Sequence, residues 1–383
     1  MGENSPLAGL KVIELARILA GPFACQTLAD LGAEVIKVES PAGDDTRKWG
    51  PPWVIRDNGD RESAYYHGCN RGKQGIIADF NDPADLALVR QLCAGADVVV
   101  ENYKTGTLAR FGLDYASLAA DNPGLVYCSI TGFGQTGPYA QRPGYDFVAQ
   151  AMSGFMALNG EPDGVPMKAG LAVSDLVCGL YSTIAIQSAL LMRQRTGRGQ
   201  QIDMALLDCS VSLLTNQAIY QLTTGENPPR MGNAHAQLAP YQVYAVADGH
   251  LILAPGNDDQ FRRLTRMIGR EDLASDPRLQ SNAGRLELRD WMNAEIARET
   301  VRFTRAELMA ACEAHGVPFG AVHQLDEVFA DPQVVARGMQ IALPGGIPGV
   351  RSPFVFSDAE LALDKPSPRH GEHDMAVRAD SGD

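Results

Sequence analysis

The segment KVIELARILAGPFACQTLADLGAEVIKVE, residues 11–39, carries the clearest structural pattern in the chain. KVIEL predicts a short strand and EVIKVE, at 34–39, predicts a second one, because both are brief and largely apolar. Between them PFACQTLADLGA predicts a helix, since Pro22 suits the first helical position, where its missing N–H is not needed. Strand, helix and strand in this order form a βαβ unit, the building block of a parallel sheet.

The same alternation continues through the first half of the chain. IIADF (76–80), DVVVENY (97–103) and LVYCSITGFG (125–134) predict further strands, with helices expected near 84–94 and from Tyr115. Strands that alternate with helical segments are typical of α/β proteins. We therefore expect an α/β fold whose large domain is built on a Rossmann-like parallel sheet.

The second half of the chain predicts a different organisation. A long apolar helix begins at Asp175, and QIDMALLD (201–208) is expected to open another helical stretch. After the linker-like TTGENPPR, two strands joined at Asp248-Gly249 predict a hairpin, because Asp-Gly favours the tight turn. Helical patterns follow at 259–269, 285–299 and 304–314. The predicted division is a large α/β domain at 1–200, a linker helix and connection at 201–226, a small α+β domain at 227–325 and a C-terminal return to the large domain at 326–383.

Composition excludes several classes of protein. The 383 residues carry a net charge of −13, which argues against binding nucleic acid through a basic surface. The apolar run 176–192 is short for a bilayer and predicts a buried helix, so no membrane association is expected. Seven cysteines without paired spacing indicate a reducing compartment, and the first residues do not resemble a signal peptide. We expect a cytoplasmic protein.

Three common kinds of enzyme site lack their sequence signatures. The turn after the first strand has one glycine, and GFGQTG at 132–137 is followed by Pro138 instead of a helix, so a dinucleotide site is not indicated. The histidines are dispersed, and only His370 and His373 approach the spacing of metal ligands, so no metal site is expected. The chain has no GxSxG motif of an α/β-hydrolase.

Asp175 has two interpretations from the residues alone. It stands directly before the long apolar helix, where Asp is most often a plain N-cap. The same place permits chemistry, because a helix N-terminus stabilises an exposed carboxylate as the anion and hence as a nucleophile. Both interpretations stay open at this level, and the residues indicate a cytosolic α/β enzyme with a candidate carboxylate site.

Eight segments, in order from about residue 7 to 340, resemble the class III CoA-transferase family, also called CaiB/BaiF, which includes formyl-CoA transferase. They are LAGLKVIELARILAGPFACQTLADLGAEVIKVESP, GDDTRKWGPP, CNRGK, DVVVENYKTGTLARFGLDY, GFGQTGPYAQRPGYD, the Asp175 helix with RTGRGQ, GNDDQFRRL, and HGVPFGAV followed by DPQ. One segment alone would be a weak signal, whereas the ordered series is specific.

The resemblance implies an enzyme that moves CoA from an acyl-CoA donor to a free carboxylic acid. The large α/β domain would bind CoA, and two chains would form an interlocked homodimer in which each threads through the other. Asp175 would be the nucleophile, passing through mixed anhydrides and a β-aspartyl-CoA thioester. Coenzyme A and acyl-CoA would be substrates, with no prosthetic group. The expected partners are a second copy of the chain, the acyl-CoA and a small carboxylic acid.

The resemblance also assigns residues to the site. Tyr145 and Asp146 match residues beside the intermediate in formyl-CoA transferase. The CoA-binding positions by motif match are Leu19, Ala20, Ala78, Asp79, Phe80, Asn81, Asn102, Tyr103, Arg110 and Arg142. The two arginines suit phosphate contact, and Arg71 and Lys73 are further cationic candidates.

Two alternatives to a CoA-transferase exist within this family. The α-methylacyl-CoA racemases share the fold and use a His/Asp pair, but Tyr145 occupies the histidine position here, and tyrosine is a poor acid/base at neutral pH. A catalytically silent acyl-CoA-binding paralogue is the other alternative. Asp175 without that histidine favours the transferase.

Two features bear on the acyl group and on a cover for the site. Chain length and RPGYD resemble members that use dicarboxylates, so succinyl-CoA is the expected donor and a dicarboxylate the expected acceptor. The loop around Gly232 and Asn233 is a candidate cover for the intermediate, although it lacks the consecutive glycines of formyl-CoA transferase.

Overall fold

The computed structural model describes residues 4–380, which divide into two compact units. The first unit contains residues 4–155, Lys168–Ile219 and residues 332–380, and the second contains Met156–Met167 and Tyr220–Asp331. The first unit thus continues to Ile219, whereas the sequence predicted that the large domain ends at 200.

The strands and helices are numbered along the described chain. The strands are β1 Lys11–Glu14, β2 Glu34–Glu39, β3 Trp53–Ile55, β4 Arg61–Ser63, β5 Lys73–Ile77, β6 Val98–Glu101, β7 Val126–Thr131, β8 Gln200–Ala205, β9 Gln242–Val246, β10 Gly249–Leu253, β11 Phe319–Ala321, β12 Gln340–Leu343 and β13 Ile347–Val350. The helices are α1 Ala20–Asp30, α2 Ala64–His67, α3 Pro83–Ala94, α4 Tyr115–Asp121, α5 Asp146–Met152, α6 Phe155–Leu158, α7 Val173–Thr196, α8 Leu206–Ser212, α9 Thr215–Thr224, α10 Asp258–Met267, α11 Glu271–Ser275, α12 Asn282–Glu287, α13 Arg289–Thr300, α14 Arg305–His315, α15 Leu325–Ala330, α16 Pro332–Ala336 and α17 Asp374–Asp380.

A six-stranded parallel sheet forms the centre of the first unit. Its strand order is β5-β2-β1-β6-β7-β8, and every neighbouring pair is parallel. Strands β1, β6 and β7 are almost wholly buried because helices cover both faces of the sheet. The predicted parallel α/β architecture is confirmed.

The sixth strand corrects one prediction. Gln200–Ala205 pairs in parallel with β7 over its full length, so the helix expected from residue 201 is wrong there. The sequence QQIDMA alternates polar and apolar residues, which is the strand period, and Ile202 and Met204 pack against the core. Helix begins only at Leu206.

Helix α7 is the long apolar helix expected from the sequence. By length and composition it could cross a membrane. In the first unit its buried face, including Cys178 and Ile186, packs in the same core cluster as α1 and the sheet. Gly179 makes this packing possible, because a Cβ there would lie only 2.8 Å from the Ala20 carbonyl oxygen.

The C-terminal segment belongs to the first unit. The Ile77 amide donates to the Asp374 carboxylate at 2.8 Å, and the Gly75 amide donates to His373 Nδ1 at 3.1 Å. The C-terminal segment therefore hydrogen-bonds to the backbone of β5, an edge strand of the sheet.

The second unit is built on a three-stranded antiparallel sheet, β11-β10-β9. The hairpin predicted at Asp248-Gly249 is confirmed, with Val246 paired to Gly249. The helix predicted at 285–299 is divided at Leu288 into α12 and α13. Thr304 caps α14, its side chain and that of Glu307 forming a capping box.

Candidate active site

A pocket opens at the point in the parallel sheet where the strand order reverses. From β1 the strand order runs through β2 to β5, and from β6 it runs the opposite way to β8. Ligands of open parallel sheets bind at the carboxyl ends of the strands at such a point. The pocket is lined by residues that follow β1 (17–20) and β6 (102–105) and by residues at the end of β7 (130–132), together with loop residues 140 and 142–145, Asp175 and Leu206.

Two glycines allow the loop after β7 to fold over this edge. A Cβ on Gly132 would lie 2.5 Å from the Gly144 Cα, so neither position tolerates a side chain without movement. This close approach brings Arg142 and Tyr145 to the pocket wall.

Asp175 is the third residue of α7, not its N-cap. Ala172 occupies the N-cap position and its side chain makes no capping bond. Instead Asp146 Oδ1 accepts the backbone amide of Ser174 at 2.8 Å and that of Asp175 at 3.4 Å. The N-cap interpretation of Asp175 is therefore wrong, and its carboxylate is left to face the pocket.

Burial controls the ionisation of Asp175. Desolvation, followed by the negative charge of Asp146, raises the pKa of Asp175 to about 7. The sequence predicted an exposed carboxylate that the helix N-terminus keeps ionised. In the structure Asp175 is half-buried, and this favours the protonated form. Near neutral pH a substantial fraction of Asp175 is nevertheless the anion.

The structure brings together most of the predicted site residues. Those that line the pocket are Leu19, Ala20, Asn102, Tyr103, Arg142, Tyr145 and Asp175. Asp146 stands behind Asp175 as its backbone partner. Ala78, Asp79, Phe80, Asn81 and Arg110 do not line this pocket.

An aromatic cluster links the remaining predicted residues to the pocket wall. The Phe80 ring lies 6.1 Å from that of Tyr103 and 5.5 Å from that of Phe111. The segment 78–81, after β5, therefore packs beside the segment after β6. Exposed Arg110 precedes Phe111 in a short 3₁₀ helix, so it lies next to this cluster.

Two cationic side chains considered for phosphate contact form buried ion pairs inside the fold. Arg71 is buried and bonds both carboxylate oxygens of Asp30. Lys73 is buried and pairs with Glu14 at 2.7 Å. Neither side chain is available to a ligand.

Sequence reasoning missed three side chains at or near the pocket. Arg17 and Lys104 line it, and both carry positive charge. Burial, followed by the charge of Asp175, raises the pKa of Tyr65 to about 12, so Tyr65 stands near Asp175 as a neutral hydroxyl. Arg17 and Lys104 adjoin predicted residues and follow strands, a signal that could have identified them. Tyr65 had no such signal.

Two further features concern metal ligands and the loop around Gly232. Among residues 4–380, no cluster of three or more His, Cys, Asp or Glu side chains could hold a metal ion. In the second unit, the Gly232 amide donates to the Gly160 carbonyl, so the loop around Gly232 and Asn233 packs on the 156–167 segment of the same unit.

The chain is similar to known CoA-transferases over nearly its whole length. The family model described as CoA-transferase family III matches residues 7–374. A succinate–glutarate CoA-transferase of Agrobacterium fabrum is 52% identical, with 99% of this chain and 96% of the relative covered. The human succinyl-CoA:glutarate CoA-transferase is 39% identical, with 97% and 85% covered. A CAIB/BAIF family protein from Brucella suis has a solved structure with a TM-score of 0.92 and 55% identity, covering 99% and 100% of the chains.

Proposed function

The chain belongs to CoA-transferase family III and is a CoA-transferase, and we propose that Asp175 is the nucleophile through which it moves CoA. The observation that carries this proposal is the position of Asp175. Its carboxylate lines the pocket at the switch point of the sheet, while Asp146 takes over the capping of its helix. A carboxylate in such a place can form a covalent intermediate.

The reaction needs no energy source because one thioester replaces another. The Asp175 carboxylate attacks the donor thioester carbonyl, giving a mixed anhydride and CoA thiolate. The thiolate attacks the aspartyl carbonyl of the anhydride, which releases the free acid and leaves a β-aspartyl-CoA thioester. The acceptor carboxylate then attacks this thioester, and the returning thiolate attacks the acceptor carbonyl. Product acyl-CoA leaves, and Asp175 is again a carboxylate.

Each step passes through a tetrahedral oxyanion, which hydrogen-bond donors in the pocket would stabilise. Tyr65 is suited to this role because its hydroxyl keeps its proton at neutral pH and the charge of Asp175 acts on it. We assign Tyr65 as an oxyanion donor. Tyr145, exposed on the pocket wall, and Asp146 would contact the acyl group or hold its surroundings in place.

The CoA moiety would extend from Asp175 along the carboxyl edge of the sheet. Leu19, Ala20, Asn102 and Tyr103 line that path, and Arg142 supplies positive charge on the pocket wall. The segment Ala78, Asp79, Phe80 and Asn81, with Arg110 beside the same aromatic cluster, would continue it toward the adenosine and phosphate groups.

The proposed substrates are succinyl-CoA as donor and a dicarboxylate as acceptor. The curated relatives carry names for transfer between succinate and glutarate. In this chain Arg17 and Lys104 place two cations at the pocket that holds Asp175. A second carboxylate on the acid would be attracted to them.

We further propose an interlocked homodimer and a cytoplasmic location. Large apolar side chains are exposed on the first unit's helices and their flanks, and a second copy of the chain would remove them from water. They include Tyr145, Phe147, Leu171, Ile184, Leu191 and Ile219. Light scattering is expected to give a dimer mass, and a monomer would contradict the proposal. All seven cysteines are free thiols, which supports a reducing compartment.

Intact-mass spectrometry after incubation with succinyl-CoA tests the proposed mechanism. We expect an adduct of CoA minus water that maps to Asp175 and disappears when glutarate is added. Asp175→Ala should give no adduct. Asp208→Ala is the matched control, because Asp208 is also the third residue of its helix, α8, and should react like the wild type. Turnover by Asp175→Ala would overturn the proposal.

A further inference from the structure

The turn between β1 and α1 contains a backbone conformation that its sequence does not favour. Ile18 has φ +72°, in the left-handed region that β-branched residues rarely occupy. Ile18, Leu19 and Ala20 from this turn line the pocket together with Asp175. Strained backbone of this kind persists only where its surroundings hold it.

Asp44 is one of two side chains that hold the turn. Both of its carboxylate oxygens accept the Ile18 amide, at 3.2 and 3.3 Å. On the neighbouring residue, Asn102 accepts the Arg17 amide at 2.9 Å and donates to the Arg17 carbonyl at 2.7 Å. The two peptide groups that precede the strained residue are therefore fixed by side chains from distant parts of the chain.

A buried ionic cluster in turn fixes Asp44. Lys37 lies 3.0 Å from Asp44 and 2.9 Å from Glu14, and its ammonium also donates to the Ala16 carbonyl at 2.9 Å. The side chains of Lys37, Glu14 and Asp44 are at most 1% exposed. Burial alone would raise the pKa of Asp44, but Lys37 and the bonds from Thr46 outweigh it and lower the pKa to about 2.

The same cluster reaches the far side of the turn. Glu14 also pairs with Lys73 at 2.7 Å, and the Lys73 ammonium donates to the Pro22 carbonyl at 2.9 Å. Carbonyl groups before and after Ile18 are thus bound to lysines that share Glu14. Because Asp44 is an anion in this network, it can hold the Ile18 amide across the physiological pH range.

We propose that Asp44 is a positioning residue for CoA transfer: it holds Ile18 in its left-handed conformation and thereby sets the part of the wall that Leu19 and Ala20 form in the pocket lined by Asp175. This inference rests on the proposed transfer through Asp175. Leu19 is the N-cap of α1 and its side chain makes no capping hydrogen bond. A small shift of such a wall can cost a large factor in rate.

A double-mutant cycle between Asp44 and Ile18 tests the proposal. Asp44→Asn keeps the shape but removes the charge, and we expect kcat/KM to fall on the order of tenfold, mainly through kcat. Ile18→Gly removes the cost of the left-handed conformation, because glycine adopts it freely. In the Ile18→Gly background, Asp44→Asn should therefore lower kcat/KM by less than about threefold.

Controls separate positioning from loss of folding. Asp30→Asn neutralises another buried aspartate, which bonds Arg71 and does not contact the turn. It should lower thermal stability and leave kcat/KM of the folded protein unchanged. If Asp44→Asn does not fold, Thr46→Val replaces it, since Thr46 Oγ1 donates to Asp44 at 2.8 Å. Thr265→Val, a buried threonine of the second unit, is the matched control for that variant.

The outcomes distinguish this inference from the proposed function. Equal effects of Asp44→Asn in the two backgrounds would show that Asp44 does not act through Ile18, and would overturn the inference. A smaller effect in the Ile18→Gly background supports it. Wild-type protein that forms no Asp175 adduct with succinyl-CoA would instead remove the proposed mechanism, whatever the cycle gives.

Discussion

Asp146 caps the helix that carries Asp175: its Oδ1 accepts the Ser174 amide at 2.8 Å and the Asp175 amide at 3.4 Å. Its other oxygen accepts Gln150 Nε2 at 2.6 Å, and Gln150 in turn accepts the Ala169 amide. Asp146 therefore satisfies the helix end and adds negative charge beside Asp175. One side chain thus positions the proposed nucleophile and adds to the rise in its pKa that burial causes.

Transfer is expected to depend on pH through Asp175. With its pKa raised to about 7, Asp175 is protonated and unreactive in acid, so the rate should rise as pH increases through 7 and level off above about 8. Measuring kcat/KM for succinyl-CoA between pH 5 and 9 checks this, because kcat/KM reports the free enzyme. Asp208→Asn should leave the profile unchanged. A rate that is flat down to pH 5 would contradict the assignment.

Replacing Asp146 should separate its charge from its capping role. Asp146→Asn keeps an oxygen for the Ser174 amide but removes the charge, so the acid limb of the pH profile should move to lower pH. Asp146→Ala also loses the cap and should lower the free energy of unfolding by about 1 kcal/mol more. Urea unfolding and the two pH profiles measure these effects. An unshifted limb in Asp146→Asn would show that its charge does not act on Asp175.

Asp175→Asn is expected to stabilise the protein at high pH. The pKa of Asp175 is raised on folding, so the native state binds more protons than the unfolded state between about pH 4 and 7. The free energy of unfolding of the wild type therefore falls as pH rises through that window. The variant lacks this loss and should be more stable by about 2–4 kcal/mol at pH 8, with no advantage at pH 4. Urea unfolding at both values, at fixed protein concentration, gives the comparison, and equal stability at pH 8 would count against a buried, proton-binding Asp175.

Tyr65→Phe should slow the chemical steps while leaving binding intact. Loss of one oxyanion donor is expected to lower kcat on the order of 100-fold with little change in KM. Tyr115→Phe, a half-buried tyrosine on α4, is the control and should behave as wild type. If Tyr65→Phe raises KM and spares kcat, then Tyr65 binds substrate and is not an oxyanion donor.

Arg142→Ala should weaken binding of acyl-CoA. Arg142 lines the pocket and stacks on Tyr139 at 3.9 Å, so its charge is held in place. We expect KM for succinyl-CoA to rise about tenfold with a smaller change in kcat, and Arg110→Ala to act in the same direction. Arg198→Ala removes an exposed arginine just before β8, at the amino ends of the strands and thus away from the pocket. It should have no effect. A larger loss in kcat than in binding would argue against a binding role for Arg142.

The sequence by itself determined the order of elements and the family. Hydrophobic periodicity is a local property, so strands β1, β2, β6 and β7, helix α7 and the hairpin of the second unit could be predicted from neighbouring residues. The edge strand β8 was missed because its short alternation merges into the helical pattern that follows. Ordered motifs, rather than any single residue, singled out Asp175.

Only the tertiary structure decided how these residues act. Burial raises the pKa of Asp175, and Asp146, 29 positions earlier, supplies its cap. In the sequence Arg71 and Lys73 cannot be told apart from other cationic residues, but in the structure they are buried in ion pairs with Asp30 and Glu14. The strained turn at Ile18 depends on Asp44, 26 positions away. The ionisation of Asp175, the availability of the two cations to a ligand and the strain at Ile18 all depend on distances and burial, and these exist only in the folded chain.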